Sequence, residues 1–181
     1  MPAPLEVPRI DDWFWDALES SDHSLRELCR KLEELPREQL YSFQYQYMEA
    51  MEYAPPGDQD APAPLSSGLC PDGFPDEDFA DWVVSQGREF YYQLRREPER
   101  LQEYVSMYLA SEDGSGSSEL RWDNDVDREE YRGWQSPFQV GFAIFRARFG
   151  KDIVQMIYGH DWDDACGGST QVPPAADDFM T

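Results

Sequence analysis

With 181 residues, 40% of them hydrophobic and 14% aromatic, the chain is large and apolar enough to close a hydrophobic core, which excludes wholesale disorder. Its 37 acidic residues against 15 basic ones leave a net charge of −22. A field of that sign repels nucleic-acid phosphates and anionic membrane surfaces, and favours a basic partner.

No apolar run approaches the roughly 20 residues of a membrane-spanning helix. Residues 1–9 lack a basic start followed by an apolar stretch, so no leader is expected and a cytoplasmic protein is. Residues 1–10 are proline-rich and read as a flexible lead-in. A single helical domain is expected over 11–164, followed by a flexible acidic tail over 165–181.

Asp11 or Asp12 is placed to cap a first helix with Trp13, Phe14, Ala17 and Leu18 on one face. A turn at Ser20–Asp22 leads to a second helix, with Leu25, Leu28, Cys29, Leu32 and Leu35 at helical spacing. Pro36 opens a third, where its missing N–H costs nothing; Leu40, Phe43, Tyr47 and Met51 carry that stripe to about Tyr53. Residues 54–78, with Pro55, Pro56, Pro62 and Pro64, read as a proline-rich loop ending in a tight turn around Pro71 and Gly73.

The spacing of Phe79, Trp82, Val83, Gln86, Phe90 and Leu94 then predicts one long helix, with Gly87 inside it. Glu97-Pro98-Glu99 interrupts it, and a further helix runs to Ala110 with Leu101, Tyr104, Val105 and Tyr108 facing inward. Residues 111–118 read as a loop, and an acidic helix start is expected after Trp122. Ser136 caps a last helix that begins at Pro137, carries Phe138, Phe142, Phe145 and Phe149, and stops at Gly150. Residues 151–158 fit either a short helix or a strand. The sum is an all-α, single compact domain of about six to seven helices.

Chemistry-bearing motifs are sparse. Cys29, Cys70 and Cys166 have neither disulfide-framework nor zinc spacing, and two histidines, His23 and His160, offer little for a metal. Asp123–Asp127 superficially resembles a calcium loop, but Arg128 replaces the required Gly and Trp134 the bidentate Glu, so helix capping is the better reading. Asp72, Asp76, Glu77, Asp78 and Asp81 gather near one helix start, where they complement the helix dipole or form an anionic rim. No nucleotide-binding glycine motif, nucleophile elbow or zinc-protease motif is present, and no cofactor is expected.

The stretch Ser85-Gln86-Gly87-Arg88-Glu89 stands out because a helix-interior Gly costs roughly 1 kcal/mol. Either Gly87 admits a close helix crossing, with Arg88 forming a buried fork to a carboxylate of another helix, or the stretch binds a ligand or partner. The candidate functional residues are Asp72, Asp76, Asp78, Trp82, Gln86, Gly87, Arg88 and Glu89.

Three segments resemble a bacterial family of unknown function, DUF4240: WFWDALESS at 13–21, LPREQLYSFQYQYMEAMEYA at 35–54, and GLCPDGFPDEDFADWVVSQGREFYYQLRREPERL at 68–101. The most specific element is Trp82 followed by two hydrophobic residues and SQGRE. The chain departs from the family between Pro55 and Pro64, where a helical link is usual. The resemblance implies a small helical bacterial domain and brings no reaction, cofactor or catalytic residue with it. The leading functional expectation is a non-catalytic interaction or regulatory module, adaptor or immunity-like, that binds a basic protein. Alternatives are an enzyme with a cleft lined by Asp72, Trp82, Gln86, Arg88 and Glu89, and a nucleic-acid mimic with rows of carboxylates.

Overall fold

The computed structural model describes residues 10–54, 77–113, 121–123, 125–126, 136–150, 153 and 156. Among them are seven α-helices: α1 (Asp12–Glu19), α2 (Leu25–Glu34), α3 (Arg37–Glu52), α4 (Glu77–Ser85), α5 (Arg88–Arg96), α6 (Leu101–Asp113) and α7 (Pro137–Phe149). A 3-10 turn over Pro98–Arg100 joins α5 to α6, and the described residues form no strand beyond one isolated bridge between Ser24 and Asp123. The all-α expectation holds. Of the expected lead-in and proline-rich loop, Ile10 and Ala54 are buried and Glu77 and Asp78 already belong to α4; the rest of both segments and the acidic tail lie outside the described residues.

α2 follows its sequence pattern closely. Leu25, Leu28 and Leu32 are wholly buried, and each contributes roughly 1.5–3 kcal/mol by leaving water. Ser24 caps it, its hydroxyl accepting from the Glu27 amide at 3.2 Å. The turn before it places Asp22 (φ 49°) and His23 (φ 57°) in the left-handed region, which Asp and His tolerate better than most residues.

In α1, Asp11 holds the N-cap position without a side-chain cap. Its carboxylate instead accepts from the Trp13 indole at 3.3 Å and from Gln46 Nε2 at 3.2 Å, which ties α1 to α3. Trp15, absent from the expected face, is wholly buried. Phe14 joins Trp15, Phe43 and Tyr47 at centroid distances of 5.0, 5.1 and 5.8 Å, and Trp15 meets Tyr91 at 5.3 Å. One aromatic cluster therefore unites α1, α3 and α5.

Three expectations are corrected. Gly87 is not inside a helix, because the chain breaks there between α4 and α5. Ser111 belongs to α6, buried, with its hydroxyl donating to Tyr108 O at 2.7 Å; the expected loop therefore starts at least three residues later. Residues 121–123 and 125–126 are not helical, and the remainder of the expected acidic helix start lies outside the described residues. In α7 the buried face is Val140, Gly141, Ile144 and Phe145, while Phe138, Phe142 and Phe149 are only partly covered. Ser136 and Gly150 cap that helix as expected, Gly150 at φ 63°. Of the expected segment 151–158, Ile153 and Met156 are described, both helical, and Ile153 is buried.

Candidate functional site

α4 is buried nearly all round: Phe79, Asp81, Trp82, Val83, Val84 and Ser85 are all inside. From Phe79 to Ser85 no side chain is exposed, the pattern of a core helix. Trp82 stacks on Phe79 at 5.9 Å and takes Phe90 edge-on at 5.3 Å, so it serves the interior. Asp81 is 9% exposed and its Oδ1 accepts from the Tyr47 hydroxyl at 2.6 Å. Burial, then the Asp81 charge and this hydrogen bond, push the Tyr47 phenol well above its ordinary value, so it stays a donor.

At the end of α4, Gly87 adopts φ 96° and ψ 180°, a backbone region open essentially to glycine alone. That conformation turns the chain and starts α5, with Gly87 O accepting the first helical bond from the Tyr91 amide at 3.1 Å. Gly87 has no side chain to cap α5. Glu19, at the end of α1, fills the role: its Oε1 accepts from the Arg88 amide at 2.8 Å. A Cβ on Gly87 would lie 3.0 Å from that same Oε1.

Arg88 does reach a carboxylate of another helix, through one bond from Nη2 to Asp12 Oδ1 at 2.7 Å. The pair is exposed (Asp12 side chain 89%), not a buried fork, so it contributes at most about 1 kcal/mol. Glu89 turns away to pair with Arg96 at 2.7 Å. Gln86 Nε2 donates to Ser85 Oγ at 3.2 Å, and the Ser85 hydroxyl itself donates to Trp82 O at 2.7 Å.

A strap made of residues 121–123 and 125–126 touches the same junction. The Trp122 indole donates to Ser85 O at 3.2 Å, taking a carbonyl at the end of α4, and its ring lies 5.3 Å from that of His23. The Asp123 amide donates to His23 O at 2.7 Å. Asp125 accepts from Ser24 Oγ at 2.8 Å and from the Arg26 amide at 3.0 Å. Burial raises the Asp125 carboxyl, but the Arg26 amide, the Ser24 hydroxyl and the Arg26 charge outweigh it and leave the group below its usual range. The acidic run thus does cap a helix. The helix it caps is α2, about a hundred residues earlier in the chain.

Of the expected site residues, the structure brings Trp82, Gln86, Gly87, Arg88 and Glu89 to one junction, with their side chains sent to different places. Asp78 lies in the first turn of α4; Asp72 and Asp76 fall outside the described residues. The partners that sequence reading missed are Asp12, Glu19, Tyr47, Trp122 and Asp125, all distant along the chain. Asp81 had one local signal, its place directly before Trp82-Val83-Val84. Among the described residues no group of three His, Cys, Asp or Glu is arranged to hold a metal ion, and no helix is long and apolar enough to cross a membrane.

Comparison with known proteins adds a family. The model of the family described as a protein of unknown function, DUF4240, matches residues 10–131, more than half of the chain. No curated protein and no solved structure matches. The matched stretch contains the α1 end, the α4–α5 break and the strap that meet at the junction, and the chain belongs to the DUF4240 family.

Proposed function

We propose that the protein is a non-catalytic interaction or regulatory module of the bacterial cytoplasm whose acidic surface receives a basic protein partner. The observation that carries this reading is how the charges are spent. Arg26, Arg30, Arg88, Arg96 and Arg100 each engage a carboxylate of the same chain. Asp16, Glu38, Glu52 and Glu99 are exposed and have no ion pair among the described residues. With five arginines paired to carboxylates of the same chain and a net charge of −22, the outward field is negative. Such a field speeds encounter with a cationic partner by about 10 to 10³-fold at low salt.

The signature stretch supports the same reading from the other side. Trp82 packs in the core, Gly87 sets a backbone turn, Arg88 pairs with Asp12 of α1, and Glu89 pairs with Arg96 within α5. These residues position structure in place of presenting reactive groups. Titration with an oligo-arginine peptide, with oligo-glutamate as control, tests the proposal. Binding of the basic peptide that weakens steeply with added salt is expected. Equal indifference to both peptides at low salt would sink it.

A further inference from the structure

α7 lies beyond residues 10–131, yet it closes the core of that stretch. Val140, Ile144 and Phe145 have no solvent exposure. Against α3, Gly141 makes room for the Gln44 side chain: a Cβ on it would sit 2.0 Å from Gln44 Oε1 and 3.8 Å from the Phe43 ring. Gln44, itself wholly buried, donates from Nε2 to Phe138 O at 3.3 Å, and the Phe138 ring lies 5.4 Å from that of Tyr47.

Against α2, Arg148 Nη1 donates to Leu35 O at 2.7 Å and to Leu32 O at 3.4 Å. Leu35 closes α2, and Leu32 O also accepts from the Leu35 amide at 3.2 Å, so Arg148 adds a donor at this helix end. The Arg37 guanidinium lies 5.8 Å from the centroid of the Phe149 ring, joining the start of α3 to the end of α7. α7 therefore meets α2 and α3 along its length, with polar bonds at both ends and apolar burial between them.

We propose that α7 is an integral closing helix, and that the cooperative unit runs from Ile10 through Phe149, past the end of the family-matched stretch. Without α7 the face bearing Phe43, Gln44 and Tyr47 would be opened to water, and with it the buried Tyr47–Asp81 bond. The Gly141 crossing makes the coupling steep, because two closely seated helices cannot part by small steps.

Native-state amide exchange on the full chain, followed across a urea series, tests this. The α7 amides are expected to open with the same free energy and the same denaturant slope as those of Phe43–Tyr47 in α3. Gly141→Leu, which drives a side chain into Gln44, is expected to speed exchange in both helices together by about 100-fold. If that variant fails to fold, Arg148→Ala, at the exposed end of α7, is expected to speed both by about threefold to tenfold. Opening of α7 by itself, with α3 protection unchanged, overturns the proposal, as does a Gly141→Leu chain whose exchange is unaltered.

Discussion

Gly87 and Gly141 are both buried and both lie beside a long polar side chain, but the chain needs glycine at the two places for different reasons. At Gly87 the backbone is the reason: φ 96° with ψ 180° is closed to residues with a Cβ, and the neighbouring atoms belong to the exposed side chain of Glu19. At Gly141 the conformation is ordinary helix and space is the reason, with wholly buried Gln44 seated against the α-carbon. A glycine in an apolar run can thus mark a break or a crossing. Which of the two it marks is decided by what the rest of the chain brings alongside.

Gly141→Leu should have the largest effect, costing about 3 kcal/mol in urea or thermal unfolding, because a well-packed crossing must separate. Combining Gly141→Ala with Gln44→Ala should cost less than the sum of the two single changes. Additive losses would show that space at Gln44 is not the reason for this glycine. Gly87→Ala should cost about 1–3 kcal/mol, and adding Glu19→Ala should not relieve it, since the strain lies in the backbone. Relief by Glu19→Ala would make Gly87 a steric position like Gly141 and collapse the distinction.

Asp125→Asn should follow at about 1 kcal/mol near neutral pH, by weakening the cap on α2. The pH dependence has a fixed sign. The folded carboxyl lies below its unfolded value of about 3.9, so its contribution is present above that pH and fades as pH falls through the folded value. Unfolding measured from neutral to strongly acidic pH should show the wild type and Asp125→Asn converging at the acid end. A gap that stays constant would remove the charge from the explanation. Gly150→Asn should cost least, under about 0.5 kcal/mol. Its φ of 63° is a left-handed position that Asn tolerates, and a Cβ there meets nothing within 4 Å.

The candidate site divides along the same lines. Trp82 was legible as a core residue because it shares the apolar face of its run with Phe79, Val83 and Phe90. The break at Gly87 was not legible. The apolar spacing continues through it, Phe90 and Leu94 falling where an unbroken helix would put them, and spacing alone carries no record of a backbone angle. Arg88 was expected to meet a carboxylate on another helix, and it does; that the acid is exposed Asp12 could not be read from a side chain 76 positions away. The strap shows the same limit, because an acidic run advertises capping without naming the helix it caps.

By itself the sequence determined the all-α class, the course of α2, α3 and α6, the caps at Ser136 and Gly150, and the excess of negative charge. These depend on residues within a turn or two of one another, or on the sum of charges, and neither needs distant contacts. Tertiary structure decided which face of α7 is buried, why each glycine is required, and where Glu19, Arg88 and Asp125 find their partners. Those outcomes depend on helices meeting across long stretches of chain, where close packing and the need to satisfy helix ends select one arrangement.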